Sequence, residues 1–520
     1  MKLDYKRTIL VGFAFFLISA FWQAYDATIP VILTNKFGMS QAWSGVIMAL
    51  DNILAVFMLP LFGTISDKCR SKHGKRTPFI TIGTIVAAVA ILALSFVDNA
   101  QLKNIAAVSQ LDDPASLSVI YDTQADAKLQ TPEGEVFVLS DVYTKDDFIQ
   151  ISSQVMDPET NKQVTNEAYT NYVVPARQAY AASCTAANPV PLITFVALLL
   201  VVLIAMATFR SPAVALMPDV TIKPLRSKAN AVINLMGTAG GILVLVLGMV
   251  FATSAVRNQL MSYNIYYGVI AGIMITALIV FLCTVREPLW SKQMQEDSAR
   301  LGIEEEATEG EGEKRKLGAS EKRSLLFILA SIALWYFGYN AVTSKYAVYA
   351  GNILNMDYNT TLLLAQAAAI VAYLPAGIVA SKFGRKKTIM AGVIMLTTAF
   401  GAASFMRSGS SVIVMNILFA LAGIGWATIN VNSFPMVVEM CSGADIGKYT
   451  GFYYTASMSA QIVTPMLSGF LMDLDGVGMT VLFPYAAVFA ALAFVTMAFV
   501  KHGDAKPESK KGLEALDIDD

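Results

Sequence analysis

Long apolar runs, separated by short polar stretches, dominate the pattern of residues along the chain. A run of 18 or more apolar residues is long enough to cross a bilayer as a helix, and the chain contains twelve such runs. They occupy roughly residues 8–34, 41–66, 77–97, 191–217, 226–252, 262–284, 324–350, 360–381, 387–406, 410–438, 447–472 and 478–500. The pattern therefore predicts an all-α membrane protein with twelve transmembrane helices.

The composition agrees with this prediction and argues against other classes of protein. Hydrophobic residues make up 55% of the chain and charged residues only 15%, against about 25% charged residues in a soluble domain. The formal net charge of −1 says nothing about partners, and we expect no nucleic-acid partner. The chain has two histidines and no recognisable metal-binding, phosphate-binding or nucleophile motif, so we expect neither an enzyme nor a bound metal or cofactor.

One short polar stretch, GTISDKCRSKHGKRTPF at residues 63–79, concentrates positive charge between two apolar runs. Loops rich in Lys and Arg tend to stay on the cytoplasmic side of a membrane. With the N-terminus placed in the cytoplasm, most of the 38 Lys and Arg residues fall on cytoplasmic loops and tails. The charge pattern therefore predicts a multi-pass protein of the cell (cytoplasmic) membrane, with both termini cytoplasmic.

The basic stretch has an echo later in the chain. The sequence GIVASKFGRKKTI at residues 377–389 repeats its glycine and its basic cluster. A second correspondence joins two acid–base pairs with the same spacing, Asp219 with Lys228 and Glu439 with Lys448. Such internal repeats are typical of transporters built from two similar halves. The two correspondences have different offsets, so we predict two six-helix halves with an insertion in the first.

The inserted segment, 98–190, falls between the third and fourth predicted helices and is acidic. Its weakly alternating runs leave two alternatives, a small α+β cap or a partly ordered loop. The predicted division of the chain is an N-terminal six-helix half at 1–97 and 191–284, an extracytoplasmic acidic insert at 98–190, a cytoplasmic linker at 285–323, a C-terminal six-helix half at 324–500 and a cytoplasmic tail at 501–520.

The basic turn resembles the signature loop of the major facilitator superfamily, whose residues are matched by Gly63, Asp67, Gly74, Lys75 and Arg76. The longer run at 66–79 is similar to that of the sucrose transporters and of the melibiose carriers, the glycoside–pentoside–hexuronide family. The resemblance covers the membrane part and not the insert. It implies the major facilitator fold and a secondary transporter of glycosides, commonly driven by protons or sodium.

The chain departs from the melibiose carriers at the residues of their cation site. The position of a carboxylate in their fourth helix is Arg210 here, and their acidic pair in the second helix corresponds to Ala55 and Leu59. The resemblance therefore implies that the sodium site of that family is absent. Proton coupling, as in the sucrose transporters, or facilitated diffusion is favoured instead.

Four ionisable residues lie within the predicted spans: Asp26, Asp51, Arg210 and Lys345. A charge at the centre of a bilayer costs about 2.5–3.5 kcal/mol on insertion scales, so such residues are functional candidates. We predict that Asp26, Asp51 and Lys345 couple transport to an ion, with Lys345 facing Asp26 across the cavity. Arg210 is predicted to bind sugar hydroxyls or to neutralise a carboxylate. The alternatives are static ion pairs, a hydrogen bond to a neighbouring helix for Asp51, and snorkelling of the cations to a membrane surface.

Sugar recognition requires hydrogen-bonding groups for the hydroxyls and an aromatic face for the apolar side of the ring. Aromatic and amide residues of the first, seventh, tenth and eleventh predicted helices provide both, and for most single aromatic residues packing or lipid contact is the alternative. The predicted substrate-binding residues are Trp22, Gln23, Tyr25, Arg210, Trp335, Tyr339, Asn340, Trp426, Asn430, Tyr453 and Gln461.

Acidic and basic residues are paired at the cytoplasmic ends of several predicted helices. We predict that these pairs form a gate that closes the cytoplasmic side in the outward-open state; anchoring of the topology is the alternative. The predicted gating residues are Asp67 with Arg76, Asp219 with Lys228, and Glu439 with Lys448.

These features together predict a secondary active transporter that moves a sugar or glycoside by alternating access, as a proton-coupled symporter. Its predicted partners are a small-molecule solute, the proton and the lipid bilayer, and the protein is expected to be a monomer. Two alternatives stay open: an exporter of an amphipathic or drug-like solute, and a membrane sensor that uses the insert to bind a partner and transports nothing.

Overall fold

The computed structural model describes residues 3–157, 161, 163–222, 225–300, 318–438, 440 and 446–502. Across these residues the chain is mostly helical, with two small two-stranded sheets. The helices are α1 (Tyr5–Asn35), α2 (Gln41–Asp67), α3 (Thr77–Asn104), α4 (Pro114–Gln124), α5 (Leu139–Val142), α6 (Lys145–Phe148), α7 (Val174–Ala187), α8 (Val190–Val220), α9 (Arg226–Val250), α10 (Asn264–Thr284), α11 (Glu287–Arg300), α12 (Ala319–Tyr349), α13 (Tyr358–Phe383), α14 (Arg385–Ala403), α15 (Val412–Val438), α16 (Ile446–Met472) and α17 (Leu482–Ala498). The strands are β1 (Lys128–Gln130), β2 (Val136–Val138), β3 (Gln154–Met156) and β4 (Gln163–Thr165).

Polar side chains and glycines set the ends of the long helices. Asp4 precedes α1 and accepts a hydrogen bond from the backbone N–H of Arg7, and Ser40 caps α2 through the N–H of Trp43. Gly384, whose φ of +92° suits glycine, separates α13 from α14. The apolar runs between these signals form helices because a backbone in lipid must satisfy its own hydrogen bonds.

Nine helices within the described residues are long and apolar enough to cross a membrane: α1, α2, α3, α8, α9, α10, α12, α15 and α17. Helices α13, α14 and α16 occupy three further predicted spans, but a membrane crossing by these three stays a prediction. Helix α3 runs past the predicted end of its span at 97 and ends at Asn104.

The long helices pack around two apolar clusters. One cluster is formed by α1, α2, α3, α8, α9 and α10, which we call the N-terminal helix group. The other is formed mainly by α12 to α17, which we call the C-terminal helix group. Within the first group α1 and α9 approach very closely, since any side chain at Gly240 would collide with the backbone of Phe16.

The described residues between 105 and 187, which we call the insert, form a small α+β unit between α3 and α8. Strand β1 pairs antiparallel with β2, and β3 pairs antiparallel with β4. The insert has its own apolar cluster, in which the largest side chains are Phe137, Phe148 and Tyr169. This packing agrees with the α+β alternative for the segment.

The insert contacts both helix groups at one end of the bundle, which we call the insert side; the opposite end is the terminus side. Against the N-terminal group, Thr185 donates a hydrogen bond to the carbonyl oxygen of Phe37, and Gln101 donates one to Thr185. The β1–β2 turn accepts hydrogen bonds from the C-terminal group: Gly476 N–H to Gly134 O and Met479 N–H to Pro132 O, each 2.8 Å. The insert therefore bridges the two groups.

An ion pair that the sequence did not reveal lies deep in the insert side of the N-terminal group. The Lys36 ammonium is 2.6 Å from Asp98 and also donates to the carbonyl oxygen of Met261, and both side chains of the ion pair are fully buried. The ring of Tyr263 lies 4.7 Å from the ammonium. The pair connects the end of α1 with α3 and with the segment before α10.

Lys36→Met is expected to lower the free energy of unfolding by about 3–5 kcal/mol, because it leaves the buried carboxylate of Asp98 without a partner. Chemical denaturation of the purified protein in detergent measures the change. The matched control is Lys145→Met, which breaks an exposed pair with Asp122 and should change stability little. The double variant Lys36→Met/Asp98→Leu should regain most of the loss; a double variant no more stable than the single one contradicts the explanation.

Candidate functional site

Three charged side chains from different helices meet near the middle of the N-terminal helix group. Asp26 on α1, Asp51 on α2 and Arg210 on α8 are all half-buried, although their helices are apolar. The Asp51 carboxylate attracts the Arg210 guanidinium and repels the Asp26 carboxylate. The Arg210 guanidinium also lies 5.8 Å from the centre of the Trp22 ring. We call Trp22, Asp26, Asp51 and Arg210 the central polar cluster.

The two carboxylates of this cluster have different surroundings. Asp51 accepts a 2.8 Å hydrogen bond from the side-chain amide of Asn52. Among the described residues, none donates a hydrogen bond to Asp26 or forms an ion pair with it. Asp26 is therefore a partly accessible carboxylate without a fixed partner, inside a helix bundle.

Aromatic side chains of the C-terminal group face this cluster. Tyr339 on α12 and Trp426 on α15 are stacked, with ring centres 3.7 Å apart and planes within 4° of each other. Tyr336 meets Trp426 edge-on at 5.2 Å. The Tyr339 phenol lies within electrostatic range of Asp26, which puts the aromatic stack beside the central polar cluster.

Polar atoms without a partner surround the same site. Among the described residues, no hydrogen bond satisfies the buried Trp22 Nε1, Tyr25 hydroxyl, Asn340 Nδ2 or Gln366 Oε1. The other end of the Gln366 amide donates a 2.5 Å hydrogen bond to Gln23, which joins α13 to α1 across the groups. Since unsatisfied buried polar groups are costly, these atoms are suited to binding water or a hydroxyl-rich solute.

The other predicted substrate-binding residues of the C-terminal group have different surroundings. Asn430 forms a hydrogen bond with Tyr373. Tyr453 is bonded through its hydroxyl to Ser433, and Gln461 is half-buried on α16. Trp335 is only 1% exposed and packs in the apolar cluster of the C-terminal group, so the prediction that it contacts substrate is not supported.

The predicted contact between Lys345 and Asp26 is wrong in this structure. The Lys345 side chain is fully buried, and its ammonium donates a 2.6 Å hydrogen bond to the backbone carbonyl oxygen of Gln41. The ammonium is attracted electrostatically by Asp473 and not by Asp26. The physical reason is that α12 meets the first turn of α2 at this depth, so the ammonium binds across the insert-side contact of the groups.

Asp473 completes this contact at the start of α2. Its two carboxylate oxygens accept hydrogen bonds from the backbone N–H groups of Gln41 (2.9 Å) and Ala42 (2.7 Å). Helices α2 and α16 also touch closely, since any side chain at Gly45 would collide with the carbonyl oxygen of Pro465. This arrangement could not be predicted from the amino-acid sequence, because the partners of Asp473 are backbone groups.

A second insert-side contact joins the segment after α9 to the start of α13. Ser254 donates a 2.6 Å hydrogen bond to Asp357, and the hydroxyls of Thr253 and Tyr358 are 2.8 Å apart. Burial disfavours the charged carboxylate, but hydrogen bonds from Ser254, Thr360 and Asn359 outweigh it and lower the pKa of Asp357. The two helix groups are therefore held together at the insert side.

The predicted gating residues that the structure describes lie on the terminus side, within the N-terminal group. Arg76 donates hydrogen bonds to Asp67, Ser66 and Asp219, the last at 2.7 Å. Lys75 lies 3.4 Å from Asp219. The side chains of the remaining three predicted gating residues lie outside the described part of the chain: Lys228, Glu439 and Lys448.

Glu287, at the start of α11, is a further terminus-side residue that the sequence did not single out. Its carboxylate accepts hydrogen bonds from the backbone N–H groups of Arg76 and Thr77, both 2.8 Å, and from the Thr77 hydroxyl. It therefore caps α3 and holds the basic turn in place. The sequence feature that could have identified Glu287 is its position as a carboxylate just after the sixth apolar run.

Comparison with known proteins places the chain among membrane transporters. The model of the Major Facilitator Superfamily matches residues 178–372 and 358–517, together more than half of the chain, and the model of MFS/sugar transport proteins matches residues 10–106. The sucrose transport protein SUC4 of Arabidopsis thaliana is 34% identical over 74 residues, a stretch that spans 14% of this chain and 14% of that transporter.

Two solved structures have a similar overall fold. The xylose transporter XylE from E. coli, in its inward open conformation, has a TM-score of 0.56 at 15% identity, covering 98% of both chains. A D-xylose-proton symporter has a TM-score of 0.56 at 14% identity, covering 96% of this chain and 99% of that one. At such identities the likeness shows the fold alone.

Proposed function

The chain belongs to the major facilitator superfamily, and we propose that it carries a sugar or glycoside across the cell membrane by alternating access, as a proton symporter. Membership of this family makes it a multi-pass membrane transporter rather than an enzyme. The observation that carries the proposal is the site between the helix groups, where a partly accessible carboxylate, a guanidinium and an aromatic stack face one another.

The proposed arrangement has twelve membrane helices in two halves, which are the N-terminal and C-terminal helix groups. The termini are placed in the cytoplasm and the insert outside, as the positions of Lys and Arg favour. The protein acts as a monomer. Contacts between the groups at the insert side support a state closed to the outside.

Sugar binding is proposed to use the aromatic stack and the unsatisfied polar atoms around it. The face of Trp426 or Tyr339 supports the apolar side of a sugar ring. Asn340 and Gln366 offer a donor and an acceptor for hydroxyls, and Arg210 offers further donors. A neutral, hydroxyl-rich solute satisfies this combination better than an apolar drug does.

Coupling is proposed to run through Asp26. A proton on Asp26 removes one of the two negative charges of the central polar cluster. Asp51 is then the one carboxylate of the cluster that attracts the Arg210 guanidinium. Because the Asp26 carboxylate has no fixed partner among the described residues, it is free to gain and lose a proton as access alternates.

Trp426→Ala is expected to raise the KM for the sugar about tenfold, because removing one ring of a stack loses roughly 0.5–1.5 kcal/mol of binding beyond the lost contact area. Counterflow at several sugar concentrations measures this effect. The matched control is Trp43→Ala, because Trp43 of α2 lies on the surface of the helix bundle and is 63% exposed. This variant should leave KM unchanged. Equal KM values for the wild type and Trp426→Ala would remove the aromatic stack from the proposed site.

Reconstitution into proteoliposomes tests the function itself. A panel of sugars that includes sucrose and xylose is first screened for thermal stabilisation of the purified protein, and the stabilising sugars are then tested for counterflow. Counterflow of a sugar supports the proposal. Transport only of amphipathic solutes, in the outward direction, favours an exporter, and no flux of any solute by well-folded protein favours a sensor.

A further inference from the structure

A polar cavity lies where the insert and the two helix groups meet, above the first turn of α2. Its volume is about 110 Å³, and it is partly open to the insert side. All three parts of the protein contribute to its wall, with Gln130 and Gln178 from the insert. The amide and carboxylate side chains that line it are Gln41, Gln130, Gln178, Asn352 and Asp473.

The wall of this cavity contains an unsatisfied acceptor. Gln41 is only 5% exposed, yet its side-chain oxygen has no hydrogen-bond partner among the described residues. Within the described part of the chain, the carboxylate of Asp473 accepts two hydrogen bonds, both from backbone N–H groups, and retains further lone pairs. Amide and carboxylate oxygens that lack donors are suited to a ligand that carries several hydroxyl groups.

The size of the cavity limits what it can hold. A cavity of about 150 Å³ holds one benzene molecule of six heavy atoms, so about 110 Å³ accommodates roughly four or five. A ligand of this size is a small polyol, or one edge of a sugar ring whose remainder extends into the insert-side solvent.

The cavity is distinct from the site between the groups. Helices α2 and α16 meet directly beneath it, at Gly45 with Pro465 and at Gly469 with the backbone of Gln41, too closely for a side chain at either glycine. A solute in the cavity therefore cannot touch the aromatic stack in this state.

We propose that this cavity is a second binding site, which takes a polyhydroxylated solute from the insert side and holds that side closed. The part of the proposal that identifies the ligand with the transported sugar class rests on the proposed function. The reason for the closing effect is geometric. The insert is bonded to the N-terminal group, and its β1–β2 turn is bonded to Gly476 and Met479 of the C-terminal group, so opening the insert side pulls the wall apart.

A ligand that contacts the insert and both helix groups at once binds only the state that is closed at the insert side. Its binding therefore raises the population of that state. High external concentrations of the sugar are therefore expected to slow transport, because opening to the insert side then requires the second site to empty first.

Protection of a cysteine tests the site directly. Ser40→Cys places a thiol at the exposed rim of the cavity, in a Cys184→Ser background that removes the cysteine of the insert. A membrane-impermeant maleimide is added from the insert side with rising concentrations of sucrose or xylose, and sodium chloride of equal osmolality is the control. At a sugar concentration ten times Kd the free site falls to about one tenth, so labelling should slow about tenfold.

Three variants in the same background separate the two sites. Gln41→Leu removes the unsatisfied acceptor and should abolish protection, and Gln178→Leu repeats the test on another wall should the first variant fold poorly. Asn430→Ala, in the site between the groups, should keep protection even where counterflow is lost. Protection that survives both wall variants but disappears in Asn430→Ala overturns the second site, as does counterflow without any protection. Protection without flux of any sugar leaves the second site standing and contradicts sugar transport.

Discussion

Asp26→Asn is expected to abolish accumulation of the sugar against its gradient while counterflow continues. Under an imposed difference of one pH unit, symport of one proton with each sugar supports up to about tenfold accumulation, because one unit is worth 1.36 kcal/mol. The variant should show a ratio near one. Asparagine keeps the size and polarity of the side chain but cannot carry a proton, so binding and exchange of the sugar should persist.

The structure makes Asp26 the best carboxylate for this test. It is half-buried and unpaired among the described residues, whereas Asp51 is bonded to Asn52 and Asp98 is bonded to Lys36. The matched control is Asp122→Asn, the same change at an exposed position of the insert that pairs with Lys145. Accumulation in Asp26→Asn that equals the wild-type level would show that Asp26 is structural.

Asp473→Ala is expected to open the insert side. The substitution removes two charge-assisted hydrogen bonds to the first turn of α2, each worth about 1.5–3 kcal/mol, and a negative charge at the positive end of that helix. Loss of even the weaker value shifts the ratio of closed to open states about tenfold. The buried ammonium of Lys345 also loses its neighbouring acid, which weakens the same contact further.

Pulsed EPR measures this shift as a change in distance populations. Spin labels at Val190 and Val412 occupy exposed positions at the insert-side ends of α8 and α15, one in each helix group. A longer distance should grow in Asp473→Ala. The control, Asp475→Ala, breaks an exposed pair with Lys128 that is worth at most about 1 kcal/mol. Identical distance distributions for the wild type and Asp473→Ala would mean that Asp473 does not hold the groups together.

The charged residues show how far sequence reasoning reaches into the site. A charge in an apolar run is expensive, and this alone singled out Asp26, Asp51 and Arg210, which the structure brings into one cluster. The same argument singled out Lys345, but its expected partner was wrong. Depth along a helix can be estimated from the sequence, whereas the neighbour at that depth depends on how the helices cross.

The aromatic residues also show that sequence spacing does not determine which neighbours a side chain contacts. Trp335 and Tyr339 were both predicted to bind substrate, and residues four apart lie near each other on the surface of a helix. The structure stacks Tyr339 on Trp426 but buries Trp335 in the core of the C-terminal group. Four residues turn a helix by about 40° beyond a full revolution, which is enough to separate a cavity wall from a core.

The sequence by itself determined the long helices and their order and predicted a likeness between the two parts of the chain, because these follow from local hydrophobicity, charge and repeated motifs. Only the tertiary structure decided that Asp473 and Lys345 bind the backbone of α2, that Lys36 pairs with Asp98, and that the insert bridges both groups. These contacts join residues far apart in the chain, and many use backbone groups that every residue carries. The pattern of side-chain types therefore does not predict these contacts, which depend on how the helices pack.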